Sequence, residues 1–308
     1  MMTEVGRDGI PWTDKQTPMS GEIFLDHVGW MVPDMVKAAS VFDALGFTLT
    51  PLSIHHDKNP ETGEAVLVGS SNRLAMLSFG YLEVLTPVDG ADTPVSRHMQ
   101  DAMARNIGVH LLAFSVADAE LYATGLEERG FSLSPTVHLR RVVESQGGNQ
   151  VEAAFTVVRA ELGSIPEGRL QAVTHLTPEH VWQSQLMPKE NAIYGLSEVT
   201  LVVEDPAASA ERLSRFTLSE TVDLLNGGTA VQLNRGRIVL LSQEAAHQQF
   251  GPNVPDAPAT IGVGLYSSNI NQTADFMFNR NISFKRTEVG LILPPEQACG
   301  VFLTITAR

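Results

Sequence analysis

Apolar and polar residues alternate along residues 26–32, DHVGWMV. Val28, Trp30 and Val32 share one face of this segment and His27 lies on the other, a period of two that predicts a β-strand. After Asp34 the apolar residues recur at spacings of three and four, which predicts an amphipathic helix with the Asp34 side chain as its N-cap. The segment is therefore expected to form a strand, a tight connection and a helix that covers the apolar face of the strand.

The same pattern occurs four times along the chain. The predicted helix caps are Asp34, Asp118, Asp205 and Asn269. The last strand of each repeat opens with a glycine, in GYLEVL at 80–85, GRLQAV at 168–173, GRIVLL at 236–241 and GVFLTI at 300–305. A repeated unit of this kind buries its apolar face against its copies. We therefore predict an α+β fold built from four βαβββ modules.

The repeats divide the chain into three regions. Residues 1–20 match no repeat and are expected to form a mobile N-terminal leader. Residues 21–185 carry the first two modules and the candidate metal site, and residues 193–308 carry a second, degenerate pair. A chain of 308 residues is long enough for two such domains. The sequence is compatible with pairing of the modules within one chain or across a homodimer.

The formal net charge of −14 disfavours a nucleic-acid partner, because such binding depends on clustered lysine and arginine. No apolar run approaches the roughly 20 residues that span a bilayer, so no membrane partner is expected. The N-terminus lacks the basic start and apolar core of a signal peptide. The single cysteine, Cys299, cannot form an internal disulfide, which fits a reducing, cytoplasmic environment.

Equivalent positions in the four repeats carry different side chains. Seven residues before the helix caps stand His27, Leu111, Glu198 and Gly262. Three residues after the strand-opening glycines stand Glu83, Gln171, Val239 and Leu303. His27 and Glu83 both face away from the helices, and a carboxylate within the apolar YLEVL is expensive to bury without a cation or a donor. Imidazole and carboxylate are ligands that suit Mn, Fe, Ni or Zn.

These features resemble the vicinal oxygen chelate superfamily and, within it, the bacterial glyoxalase-like proteins. The motifs that carry the resemblance are DHVGWMVPDM, GYLEVLTP, GVHLLAFSVADAE and THLTPEHVWQ. The resemblance implies that the modules form two cupped, barrel-like mixed sheets with helices outside and a divalent metal inside. The four-module count is also similar to ring-cleaving extradiol dioxygenases and hydroxyphenylpyruvate dioxygenase.

The resemblance also implies a set of metal ligands, which in the superfamily come from the first and last strands of partnered modules. In this chain the matching positions hold His27, Glu83 and Gln171. The fourth matching position holds Leu111, which cannot bind a metal. The sequence therefore departs from a complete four-ligand site.

Two histidines are candidates for the missing ligand. His110 is one residue out of register, so a β-bulge would be needed to turn it inward. His175 lies four residues beyond Gln171 on the same strand face and is the preferred candidate. With His27 and Glu83 it would form a two-histidine, one-carboxylate set, and Gln171 would be a weak ligand or a hydrogen-bonding neighbour.

The favoured function is a metal-dependent enzyme acting on a small organic substrate. A divalent Fe, Mn, Ni or Zn ion would chelate and polarise vicinal oxygens, and Glu83 would move a proton as the catalytic residue. Isomerase, lyase and ring-cleaving dioxygenase chemistry all fit this description. His110, Arg159 and His55 are expected to contact substrate, Arg159 by pairing with an anionic group. The alternative for His55 is an exposed loop among turn-forming residues.

A second hypothesis is a non-catalytic protein of the same fold that binds or sequesters a small molecule. Leu111 at a ligand position and the degenerate second half favour it. Its expected signature is an apolar cup in which Glu83 pairs with an arginine.

Overall fold

The computed structural model describes residues 4–5, 9–58, 62–225 and 227–308. In these residues the strands are β1 (Glu4–Val5), β2 (Pro11–Trp12), β3 (Ile23–Met31), β4 (Ser53–Lys58), β5 (Ala65–Met76), β6 (Tyr81–Pro87), β7 (Gly108–Val116), β8 (Leu133–Glu144), β9 (Gln150–Ala160), β10 (Arg169–His175), β11 (Ile193–Val202), β12 (Glu220–Asp223), β13 (Thr229–Gln232), β14 (Arg237–Leu241), β15 (Ala259–Ser267), β16 (Lys285–Arg286), β17 (Gly290–Leu293) and β18 (Phe302–Ala307). The helices are α1 (Met35–Ala44), α2 (Pro94–Arg105), α3 (Ala119–Glu128), α4 (Pro178–Val181), α5 (Pro206–Thr217), α6 (Gln243–Phe250) and α7 (Ile270–Asn279). Short 3₁₀ turns cover Ser184–Leu186 and Pro295–Gln297.

Two eight-stranded mixed sheets form the body of the protein. The first has the order β4-β5-β6-β3-β7-β10-β9-β8, and the second has the order β12-β13-β14-β11-β15-β18-β17-β16. In the first sheet β3 and β7 pair antiparallel at the centre, and each has a parallel neighbour, β6 or β10. Modules one and two thus pair within this chain, as do modules three and four. The predicted α+β fold of four βαβββ modules in two cupped sheets is confirmed.

The four predicted helix caps are confirmed, because the side chain of each cap residue accepts a hydrogen bond from a backbone N–H in the first turn. The cap residues of α1, α3, α5 and α7 are Asp34, Asp118, Asp205 and Asn269. Helices α2 and α6 were not predicted, although Pro94 follows a Thr93 capping box at the start of α2. They connect the modules of each pair.

One hydrophobic core joins the two sheets. Trp30 of β3 is fully buried, stacks edge-to-face on Phe42 of α1 with 5.5 Å between ring centroids, and donates its indole N–H to the Ala298 carbonyl at 3.2 Å. The same cluster contains Phe216 of α5 and Met277 of α7. The apolar faces of both sheets therefore pack, with α1, α3, α5 and α7, into a shared interior. The opposite face of each sheet is called its cup face below.

Residues 9–20 of the expected mobile leader are packed onto the protein. Ile10 and Trp12 are buried, and Trp12 contacts Tyr266 of β15 edge-to-face at 4.8 Å and Phe79 at 5.5 Å. The expectation for residues 1–20 is therefore corrected over this stretch, because two large apolar side chains gain more from burial than the segment loses in conformational freedom. Residues 1–3 and 6–8 lie outside the described residues.

Helices of the described segments all fall short of the length and apolar content needed to cross a bilayer.

Candidate metal centre

Three of the predicted ligands meet on the cup face of the first sheet. His27 on β3, only 3% exposed, has its Nε2 atom 3.7 Å from Oε2 of Glu83 on β6. Gln171 on β10 places its amide Nε2 2.9 Å from the same His27 nitrogen. Parallel pairing of β3 with β6, and of β7 with β10, brings these side chains together from positions far apart in the chain. The sequence analysis predicted this convergence because these side chains lie on the strand faces that point away from the helices.

The Glu83 carboxylate has polar partners and no arginine partner among the described residues. Its side chain is 12% exposed, and Oε1 accepts a hydrogen bond of 2.6 Å from the Asn72 amide. Oε2 faces His27. The arginine pairing expected for a sequestration protein is therefore not what holds Glu83.

Asp26 orients the His27 ring, and the sequence analysis did not identify it. Adjacent residues of a regular strand point to opposite faces, but the β3–β7 register shifts between Leu25 and His27, which is a β-bulge at Asp26. His27 Nδ1 can therefore donate to Asp26 Oδ2 at 2.7 Å. With the proton on Nδ1, the Nε2 lone pair points toward Glu83 and Gln171. A hydrogen bond from the other ring nitrogen to a carboxylate is the contact that typically orients a metal-binding histidine. Tyr81 stacks on the same ring at 4.2 Å.

His175 does not join His27 and Glu83, which corrects the preferred two-histidine, one-carboxylate set. Its Nε2 donates to Asp26 Oδ1 at 2.9 Å. The ring packs against Trp182 and Phe155 at centroid distances of 4.6 and 5.3 Å. His175 lies on the predicted face of β10. It is too far along the strand to contact Glu83, and it contacts Asp26 at the bulge. His175 thus supports the Asp26 carboxylate.

The Asp26 carboxylate is a fully buried anion. Burial favours the neutral acid, but His175 and His27 together hold the pKa of Asp26 well below its ordinary value. A buried cation from the second half lies nearby: Arg235 stacks over Phe24 at 4.5 Å. Burial is the main reason that the pKa of Arg235 falls to about 10, and Asp26 opposes that fall. Arg235, between β13 and β14, is therefore within electrostatic range of Asp26.

Leu111 occupies the fourth position of the superfamily pattern and belongs to an apolar cluster. It packs with Met31, Leu85 and the α2 residues Met99 and Ala102. Helix α2 therefore covers the part of the cup face where a fourth ligand would project.

His110 contacts the end of α2 and not His27, and its role in substrate binding stays a prediction. The β3–β7 register shifts again between Gly29 and Trp30, so the bulge foreseen for His110 exists. The bulge directs the ring toward α2, where Nε2 donates to the Asn106 carbonyl at 2.7 Å. His110 lines a separate cavity of about 150 Å³.

His55 and Arg159, the other predicted substrate residues, lie close to the candidate centre. His55 is on strand β4 and not in an exposed loop, with Nδ1 2.9 Å from the Ser70 hydroxyl. Burial lowers the pKa of His55, while the Glu83 carboxylate raises it, so the two side chains share one environment. Arg159 on β9 is directly opposite Gln171. Both residues therefore have access to a molecule bound beside Glu83.

The donor set fits a divalent ion in part. An imidazole, a carboxylate and a carboxamide converge, and the imidazole is oriented by Asp26. The described residues contain no cluster of three or more His, Cys, Asp or Glu side chains that could hold a metal, because the third donor here is the Gln171 amide and the fourth position is Leu111. A three-ligand site would leave coordination positions open for substrate.

The family model described as "Glyoxalase-like domain" matches residues 25–217, more than half of the chain. The chain belongs to the glyoxalase-like domain family. This confirms the resemblance to the vicinal oxygen chelate superfamily. No curated protein matches this family member in sequence.

Solved structures share the fold of this glyoxalase-like protein at low identity. A hypothetical protein from Staphylococcus aureus has a TM-score of 0.63 and 10% identity, covering 93% of this chain and 100% of its own. A mutant of 4-hydroxymandelate synthase from Streptomyces coelicolor has a TM-score of 0.55 and 15% identity over 93% of both chains. A xylose isomerase-like TIM barrel/4-hydroxyphenylpyruvate dioxygenase fusion protein has a TM-score of 0.53 and 12% identity, covering 96% of this chain and 50% of its own. The likeness shows that these proteins share the fold of this chain.

Proposed function

We propose that this protein is a metal-dependent enzyme of the glyoxalase-like type that acts on a small organic substrate with vicinal oxygens. The observation that supports the proposal best is the position of His27 Nε2, 3.7 Å from the Glu83 carboxylate and 2.9 Å from the Gln171 amide. Burying a carboxylate is costly, and a cation bound between Glu83 and His27 would offset that cost. His27, Glu83 and Gln171 would hold a divalent Fe, Mn, Ni or Zn ion, with Gln171 turning its amide oxygen inward.

The chemistry follows from the roles of these side chains. A bound divalent ion would supply Lewis acidity to polarise the vicinal oxygens. Asp26 keeps the His27 ring in one tautomer, and Asn72 keeps one Glu83 oxygen in place. The other Glu83 oxygen is then available to move a proton as the catalytic residue. The reaction is of the isomerase or lyase type or of the ring-cleaving dioxygenase type.

A non-catalytic binding or sequestration protein is the second candidate function. It is favoured by Leu111, which α2 buries at the position of a fourth ligand. In that case the cup would bind a small molecule directly. We prefer the enzyme, because a binding cup has no need of an oriented imidazole next to a carboxylate.

Metal analysis of protein purified without chelator tests the proposal. We expect His27→Ala and Glu83→Ala to reduce the metal bound per chain at least about tenfold, because each removes a ligand. His56→Ala is the control, since His56 is exposed on β4 near the site. Metal content unchanged in both ligand variants would end the proposal, and a loss in the His56 variant would show that the assay reports on folding.

A further inference from the structure

Two arginines flank Gln171 on the cup face of the first sheet. Arg159 is directly opposite Gln171 on the neighbouring strand β9, a spacing that places the two side chains next to each other on one face. Arg169 precedes Gln171 by two residues on β10, and a separation of two keeps it on that same face. Both guanidinium groups therefore lie on the side of the sheet that carries His27 and Glu83.

These arginines lack an ion pair among the described residues. The Nε atoms of Arg159 and Arg169 are buried and have no hydrogen-bond partner in the described part of the chain. Arg140, by contrast, pairs with Glu152 on the exposed side of β8, and Arg212 pairs with Glu167. A buried Nε without a partner is unexpected in a protein with 35 acidic residues and 21 basic ones.

The two cations also affect one another. Arg159 and Arg169 flank Gln171 on adjacent strands, and arginine side chains stay charged at neutral pH. Like charges held together in a protein interior are costly, and a bound anion removes most of that cost.

Arg169 is accessible to a small anion, because its side chain lines the cavity of about 150 Å³ that His110 also lines. Arg159 does not line this cavity and is opposite Gln171 on β9. The other titratable side chains around the cavity are His98, Arg105 and Glu161. Positive groups thus outnumber the single carboxylate, which matches an anionic guest.

We propose that Arg159 and Arg169 together bind an oxyanion group of the substrate, a carboxylate or a phosphate, beside Gln171. The proposal deepens the proposed function, on which it rests for the identity of the neighbouring metal ligands. It narrows the substrate from any small molecule with vicinal oxygens to one that also carries an anionic oxygen group. Planar guanidinium groups suit this recognition because each presents paired N–H donors.

Calorimetric titration of the full chain with three probes tests the anion site. The probes are lactate, its neutral analogue lactamide and inorganic phosphate, each added to protein freed of metal so that chelation plays no part. We expect lactate to bind at least about tenfold more tightly than lactamide, because the two differ mainly in charge. Tighter binding of phosphate than of lactate would identify the group as a phosphate, and the reverse order would identify it as a carboxylate.

Substitutions assign the binding to the two arginines. Arg159→Gln and Arg169→Gln should each weaken binding of the preferred anion at least about tenfold. Arg169→Lys should retain part of the affinity, because it keeps the charge and loses the paired donors. Arg140→Gln is the matched control and should bind like the wild type. Thermal unfolding of each variant verifies that it is folded.

Failure of both lactate and phosphate to bind more tightly than lactamide, or folded Arg159→Gln and Arg169→Gln variants with wild-type affinity, would overturn the proposal. Metal content is measured separately on the His27→Ala and Glu83→Ala variants. An anion site that depends on the arginines, in a protein whose metal content does not depend on His27 and Glu83, would support this inference and reject the proposed function. Metal binding without anion preference would do the opposite.

Discussion

The cup faces of the two sheets carry different residues on the same framework. In the first sheet His27, Glu83 and Gln171 converge beside α2. In the second sheet the positions that correspond to His27 and Glu83 hold Glu198 and Val239. Glu198 forms an ion pair with Arg237 at 2.7 Å, and Val239 lies in an apolar cluster beside α6.

This difference shows that both pairs of modules keep the same packing, while only the first pair carries the candidate metal ligands. The second sheet repeats the strand order, the capped helices and the covering helix of the first, while its carboxylate is neutralised within its own pair of strands. Arg235, between β13 and β14 of the second half, is within electrostatic range of Asp26. We therefore expect substitutions in the shared core to affect both halves and substitutions at cup positions to affect only one.

The largest expected effect concerns the shared core. Trp30→Ala should lower the free energy of unfolding by about 3–5 kcal/mol, because it leaves a large cavity between the two sheets. Urea denaturation followed by far-UV circular dichroism measures the effect, and we expect one cooperative transition for both halves. Val36→Ala, at an exposed position on α1, is the control. Two separate transitions, with only one shifted, would show that the halves fold independently.

An acid-to-amide change at each cup compares the two faces directly. Asp26→Asn should weaken metal binding about 10–100-fold, as loss of a group that orients a histidine ligand does. It should also cost about 1–3 kcal/mol of stability through its buried hydrogen bonds. Glu198→Gln should lower stability and leave metal content unchanged. Metal titration and urea denaturation of both variants give the result, and a metal defect in Glu198→Gln would contradict the separation of roles.

The pH dependence of the Asp26 contribution has a definite sign. Because its pKa is lowered in the folded state, the stability that it provides is present above the ordinary value of about 3.9 and is lost as the pH falls toward the folded value. The stability difference between wild type and Asp26→Asn should therefore be constant from neutral pH down to about pH 5 and shrink below about pH 4.

The smallest expected effect is at the cavity near α2. Burial lowers the pKa of His110, so below about pH 6.5 the unfolded chain takes up a proton that the folded protein resists. Wild-type stability should fall as the pH decreases through this range, and His110→Gln should reduce that slope. Urea denaturation at pH 7.5 and at pH 5.5 measures it, with exposed His247→Gln as the control. Equal slopes in wild type and His110→Gln would show that His110 does not contribute.

Much of the fold followed from local patterns. Alternation along β3 identified the buried face with Trp30, and the caps Asp34 and Asp205 marked where helices begin. The position of Val239 was also assigned correctly by counting from the strand-opening glycine. Counting failed in the fourth module, where Leu303 belongs to the shared core and Thr304 pairs with Gly264 as Glu83 pairs with Gly29. A single-residue difference in register is invisible in the spacing of one strand.

The amino-acid sequence by itself determined which side of each strand His27, Glu83 and Gln171 occupy, because side-chain direction in a strand depends only on odd or even position. Tertiary structure decided how far along its neighbour each strand is placed. The two bulges between β3 and β7 turn Asp26 toward His27 and His175 and turn His110 toward α2. A bulge forms where one strand has one more residue than its partner between two hydrogen-bonded positions. The sequence of a single strand does not reveal this difference.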